Sequence, residues 1–469
     1  MFRAGFSSRV ITPRVGQEIP GLFSRRVSTG VHDDLFVRAA VLDDGTECVA
    51  LVQVDAIAAP ERLVRRARRG AARRCGIRGA NCMIAATHTH SGGPVADVFL
   101  SEPDEMYIDL VADQAAEAIA EAYGTRGPAL LGTERADAPG LAFNRRFKMK
   151  DGSQQTHPGK LHPDITEPAG PANPGVTVAG LCDPADWRPL GCVVHFACHG
   201  THMNGVKYSA DYFKWVVDTL QGTYGPEFGV VCLNGACGDV TQVDNQNGRP
   251  LEIGPFWAER TGRGVAGAAL TALARMDWRK GATVAADAVK VGAQVRASTT
   301  AERKAARALL KRTKVTAGDV ETVYARELLE VDKMRRQRPA RRLEVMGVRL
   351  GNALFWGVPA EFFQAFAAEV GAESPFKHTC CVELANGYNG YVCTPESFNG
   401  GGYEIRTARS SFLEPGAGAR ISRTAKRLAV KMYAVGKVRR RECGGNLVWP
   451  KFEDNEVLDG IRQITEGSE

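Results

Sequence analysis

A chain of 469 residues is long enough for one large domain or two, and 44% hydrophobic with 24% charged residues excludes a disordered protein. Sixty Lys and Arg against 53 Asp and Glu leave a net charge of +7, too thinly spread to imply a nucleic-acid partner. The basic runs Arg65–Arg69 and Arg439–Arg441 lack the aromatic or Gly-rich company of a nucleic-acid site and read as solvated helix faces.

No stretch reaches the ~20 apolar residues of a membrane span. Met1–Gly16 has no apolar run of signal-peptide length, so a cytoplasmic protein is expected unless a leader was removed. The twelve cysteines form no CxxC pair, and Cys48, Cys82, Cys192, Cys198 and Cys232 fall in apolar stretches, which favours reduced core thiols over a disulfide framework.

In chain order, residues 36–42 and 47–55 predict a hairpin around Asp44-Gly45. Residues 60–76 have helical spacing, and 81–87 are a short apolar strand ending in a polar cluster. A long helix is expected over 104–123, with Ser101 and Asp104 resembling a capping box. Residues 150–190, rich in Pro, Gly, His and Asp, read as a long irregular loop. Strands are expected at 191–198 and 229–234, a helical hairpin over 301–341 broken near Thr316-Ala317-Gly318, and strands over 342–358 turning at Gly351-Asn352. Glu361 opens an expected helix over 362–370, and a final helix lies near 417–434. No internal repeat is visible. The fold class is α/β, one large domain of mixed sheets flanked by helices, with chemistry at strand C-terminal ends.

Two histidine clusters end apolar runs. Thr87-His88-Thr89-His90-Ser91-Gly92 would, if extended, aim His88 and His90 to one face, as a metal ligand with a partner beside it or as two hydrogen-bonded histidines in a turn. His195, His199 and His202 form the second cluster. A strand puts His195 and His199 on one side and leaves His202 in the loop as a surface or hydrogen-bonding group; the HExxH glutamate is missing. Two strand ends that both deliver histidine raise the odds of a zinc site, which needs further N, O or S ligands and an open position for catalysis. A two-metal site is disfavoured, because Ser91-Gly92 stand where it wants aspartate and histidine.

Several spaced motifs together resemble the neutral/alkaline ceramidases over most of the chain. They are Val10-Ile11-Thr12-Pro13, Gly30-Val31-His32-Asp33-Asp34, Thr87-His88-Thr89-His90-Ser91-Gly92, Phe196-Ala197-Cys198-His199, Gly238-Asp239-Val240, Pro359-Ala360-Glu361-Phe362 and Asn386-Gly387-Tyr388-Asn389-Gly390-Tyr391, followed by Tyr403-Glu404. The resemblance implies a catalytic domain over 1–435, with 301–341 as an excursion and 436–469 as a tail. It also implies one Zn2+ per chain held by His88, His199, Glu361 and Tyr391, with His90, Arg145 and Tyr403 near the reacting carbonyl. Such a donor set lowers the pKa of bound water from ~15.7 toward ~7. Without the resemblance, Glu361 reads as a helix-dipole partner, Tyr391 and Tyr403 as loop packing, and Arg145 with Arg146 as partners of surface acids.

The family's ceramide-cleaving members have a serine followed by Pro-Asn after Gly-Asp-Val, where this chain has Thr241-Gln242-Val243. Threonine keeps the hydroxyl but adds a methyl and narrows χ1. The family's C-terminal β-sandwich is also not expected in the roughly 35 residues past the last helix. The expected activity is therefore zinc-dependent hydrolysis of an N-acyl amide, with a small, N-acylated or lipid-like substrate that need not be ceramide. A loop carrying His157 and His162 suits a smaller or more hydrophilic ligand. The alternatives are an ester or carbohydrate-type substrate, or a relative that binds without turnover.

Overall fold

Period-two apolar patterns in three separate stretches build three similar sheets. In the first, β1 (Arg3–Val10), β2 (Phe36–Asp43) and β3 (Cys48–Val54) run antiparallel in sequence. Helix α1 (Glu61–Cys75) then crosses over, and β4 (Cys82–Ala86) adds parallel to β3. Helix α2 (Glu105–Gly124) returns over the sheet. The structure, a computed structural model, describes residues 1–316 and 318–443.

The same plan recurs twice. The second sheet runs through β5 (Leu130–Asp137), β6 (Gly175–Cys182) and β7 (Pro189–Phe196), crosses by α3 (Tyr212–Tyr224) to β8 (Gly229–Asn234), and is covered by α4 (Pro255–Ala274). The third runs through β9 (Val284–Gln294), then β10 (Ala340–Leu350) and β11 (Ala353–Gly357). It crosses by α7 (Gln364–Ala372) to β12 (His378–Val382). Between β9 and β10 stand α5 (Thr300–Arg312) and α6 (Val320–Gln337), and α8 (Ala417–Cys443) packs on β9. The repeat that the residues conceal is thus plain in the hydrogen bonding, as three antiparallel strands, a crossover helix and a fourth strand parallel to the third.

Alternation explains the layering. Ala40, Leu42, Val49, Leu51 and Met83 from the first sheet meet Val193, Val231 and Leu233 from the second and Met346, Val348 and Phe355 from the third in one common core. Their neighbours, such as Val37, Val52 and Ile84, face α1 and α2 instead. Residues Val194 and Cys232 likewise face α3 and α4, while Val345 and Trp356 face α8. Strands β3, β4, β6, β8 and β11 are buried on both faces and read as continuous apolar runs, whereas β1, β5 and β9 are partly exposed. The α/β class and single-domain architecture are as expected.

Four local expectations are corrected. Residues 150–190 are not an irregular loop: Gln154–Thr156 and Ile165–Pro168 flank the strand Arg146–Met149, and β6 occupies 175–182. Gln154–Thr156 and Ile165–Pro168 are short and polar, so no apolar alternation marks them, while β6 is a fully buried run that follows a Pro/Gly-rich stretch. Asp104, not Ser101, caps α2, accepting from the backbones of Met106 and Tyr107. Glu361 does not open a helix but lies in a two-residue strand, Glu361–Phe362, parallel to Tyr391–Val392. The final helix runs on to Cys443; residues 444–469, most of the stretch read as a tail, lie outside the described residues.

The basic face of α1 pairs with α2 rather than facing solvent alone: Arg66 reaches Asp109 and Asp113, and Arg74 reaches Glu117. The Arg439–Arg441 run has no described side chains. All described cysteines are free, and most are buried. Among the described residues no helix is long and apolar enough to cross a membrane.

Candidate metal centre and active site

His88, His199 and Glu361 come from three separate strand ends. His88 stands two residues past β4, His199 three past β7 and Glu361 four past β11. Two glycines permit the approach. A side chain at Gly200 would meet the His88 carbonyl at 2.7 Å, and one at Gly238 would meet the Glu361 carbonyl at 2.7 Å. Thr89 bridges Gly200 in parallel register, and His90 N donates to Gly200 O at 2.9 Å. His88 and His90 do converge, but through a turn in which His88 takes φ 66°, not through an extended segment. A non-glycine residue held there is strain of the kind that gathers at functional sites.

The second-layer bonds settle the tautomers. His88 Nδ1 donates to Ile57 O at 2.7 Å and His199 Nδ1 to Cys237 O at 2.9 Å, so in the neutral form of each ring the lone pair lies on Nε2. Those two Nε2 atoms face each other at 2.9 Å, and His90 Nε2 stands 3.4 Å from that of His88. Two lone pairs at that distance repel unless a proton or a metal cation lies between them. Oε2 of Glu361 lies 3.3 Å from His88 Nε2 and 3.9 Å from His199 Nε2, buried and without a hydrogen bond. His88, His90 and His199 form a buried group that can hold a metal ion.

The charges agree. Around the site three buried cations, Arg26, Arg145 and Arg146, stand against four buried acids, Asp239, Glu361, Glu383 and Glu404. Fully ionised, they leave an excess negative charge, which a bound cation offsets. Burial opposes charge on His88, but Glu361 and then Glu383 outweigh it and raise its pKa. Burial, followed by the charges of His88, Arg26 and Arg145, holds His90 well below its ordinary value, so its ring is neutral.

A second cluster adjoins the histidines. Arg145 is 3% exposed and donates through Nε to Glu404 Oε1 at 3.1 Å, and through Nη2 to Gly238 O at 2.6 Å and the Tyr391 hydroxyl at 3.1 Å. Arg146 donates to Glu404 Oε2 at 2.6 Å. Neither arginine serves a surface acid, because Glu404 is itself fully buried. The guanidinium of Arg145 lies 5.2 Å from the Tyr403 ring centre, and Tyr403 lies 6.0 Å from Tyr391. The Tyr388 hydroxyl, which the motifs did not single out, donates to Glu361 Oε1 at 3.0 Å. Thr241 is buried, and its hydroxyl donates to Gln242 Oε1 at 2.8 Å.

All eight residues expected at the site, His88, His90, Arg145, His199, Thr241, Glu361, Tyr391 and Tyr403, line one cavity of about 410 Å³. The apolar side chains of Phe23, Ile57, Val98 and Phe99 also line it, as do His157 and Lys160. The other histidines lie elsewhere. His195 points away, its Nε2 donating to Cys381 O at 2.7 Å. His202 is a hydrogen-bonding group as expected, yet fully buried between Asp211 and Thr261. His162 does not reach the cavity.

Among solved structures, neutral ceramidase from Pseudomonas aeruginosa superposes with a TM-score of 0.71 at 18% identity, covering 92% of this chain and 75% of that one. The fold resembles neutral ceramidase. A second structure, ceramidase complexed with C2, matches with a TM-score of 0.70 at 17% identity and the same coverage. No protein-family model and no curated protein matches the chain.

Proposed function

We propose that the protein is a zinc-dependent hydrolase of an N-acyl amide, with the reaction confined to the cavity that Phe23 and Phe99 help to line. The observation that carries this reading is the facing pair of Nε2 lone pairs beside the unpartnered oxygen of Glu361. Such a buried set is costly alone and is matched by a borderline-soft divalent cation with nitrogen and oxygen ligands. His88, His199, Glu361 and the Tyr391 phenol would hold it, one zinc per chain. Zinc would supply an electrophile and an acidified water.

The chain's own groups would do the rest. Arg145 and Tyr403 would donate to the oxygen of the scissile carbonyl as negative charge develops there, a task for which Glu404 holds the guanidinium in place. His90, kept neutral, would take a proton from the attacking water and pass it to the leaving nitrogen. The hydroxyl of Thr241, oriented by Gln242, would anchor the substrate's polar part. The apolar lining would take the acyl group, and the fold likeness to structures named as ceramidases supports an N-acyl bond.

A panel of N-acyl amides, esters and glycosides, assayed with the zinc-loaded protein, tests the substrate class. Turnover of amides, lost in Arg145→Ala, supports the reading. Turnover of esters or glycosides but no amide would overturn the amide assignment.

A further inference from the structure

The three segments that bring His88, His199 and Glu361 together are tied by two side chains that touch none of the cavity. Asn234, at the end of β8, donates through Nδ2 to Thr87 O at 3.0 Å and accepts at Oδ1 from Cys198 N at 3.3 Å. These are the residues immediately before His88 and His199. Its own carbonyl accepts from Glu383 N at 3.1 Å. Glu383, one residue past β12, accepts at Oε2 from Cys237 N at 2.9 Å and Phe362 N at 3.1 Å, and at Oε1 from the Cys237 thiol at 2.8 Å. Cys237 O in turn holds His199 Nδ1, and Phe362 follows Glu361.

Both side chains are fully buried. The charges acting most strongly on Glu383 are His88 and then Glu361, and among the described residues no Lys or Arg is bonded to its oxygens. A buried carboxylate without a cation is an expensive way to hold two N–H groups, and an amide would serve as well. Its charge makes sense when a cation sits on the ligands it positions.

Resting on the zinc reading above, we propose that Asn234 and Glu383 are positioning residues that lock the three ligand-bearing segments in register, and that Glu383 adds its negative charge to that of Glu361 beside the metal. Neither touches substrate or metal. Asn234 aligns the two histidines, and Glu383 aligns His199 with Glu361 while supplying the second negative charge.

The test is zinc affinity by chelator competition on the metal-free full chain, for the parent, Glu383→Gln and Asn234→Asp, with melting of each metal-free form alongside. Glu327→Gln is the control, because Glu327 is equally buried but pairs with Arg409, away from the histidines. Glutamine keeps an acceptor for both backbone N–H groups, and its NH2 can donate to the Cys237 sulfur once the thiol turns its S–H away, so the fold should persist. The expected result is affinity weakened about 10- to 100-fold in both variants, with metal-free Glu383→Gln melting like the parent. In Glu327→Gln the melting point should fall while affinity holds. If Asn234→Asp does not fold, Glu383→Gln decides. Parent-like affinity in Glu383→Gln while the parent binds zinc would overturn this inference alone. A parent that binds no zinc would overturn the zinc reading and this inference with it.

Discussion

The first and third sheets end their third strands on an acid, and the two acids have opposite fates. Asp55, one residue past β3, has its oxygens taken up by its own sheet: Phe36 N at 2.9 Å, Arg38 at 3.1 Å and Gln53 at 2.7 Å. Glu361, four residues past β11, leaves Oε2 without a hydrogen bond beside two imidazoles. Same unit, same charge and same burial give one carboxylate that closes a sheet and one that faces a cavity. The three extra residues carry the functional side chain past the sheet edge, and the atom left without a hydrogen bond marks it.

Exchanging each acid for its amide should separate them most sharply. Asp55→Asn should cost roughly 3–5 kcal/mol of folding stability in a urea titration, because Arg38 is left buried without a counter-charge. Zinc content of the folded fraction should be unchanged. Glu361→Gln should do the reverse, keeping metal-free stability within about 1 kcal/mol of the parent while losing zinc on dialysis. Equal stability losses in the two variants would collapse the distinction.

Arg145→Ala sharpens the comparison at the reacting end. Removing a donor aimed at a developing oxyanion should lower kcat about 100- to 1000-fold with little change in KM. A change confined to KM would reduce Arg145 to substrate binding.

The smallest expected effect concerns His195 and His199, four residues apart at one strand end. Burial holds His195 down to about 4, with its hydrogen bond to Cys381 O opposing. Between about 4 and 6.5 the unfolded chain therefore binds more protons than the folded one, so this group removes stability as pH falls through that window. His195→Gln should flatten that part of the stability profile of the metal-free protein and leave zinc affinity intact. A profile identical to the parent's would contradict this.

How far residues alone reveal this molecule follows from what each feature depends on. The hairpin of β2 and β3, the 301–341 helix pair and the strand turn at Gly351 announce themselves because period and turn chemistry are local. His88 and His199 are legible as histidines ending apolar runs. Glu361, Tyr391, Arg145 and Tyr403 are legible only through the order of motifs, since each alone suits an ordinary structural role. The threefold sheet plan is invisible because it resides in hydrogen-bond topology, not in matching residues. Asn234 and Glu383 escape notice because a polar residue at the end of an apolar run reads as the start of a loop. An acid directly after the apolar run Cys380-Cys381-Val382 is the one signal that pointed to a buried charge.

The most direct measurement is metal content of the purified protein by mass spectrometry, with His88→Ala and His199→Ala variants shown to be folded by circular dichroism. The expected result is about one zinc per parent chain, as a single mononuclear site holds, and none retained by either variant. A parent without zinc after reconstitution, or variants that keep it, would contradict the central claim.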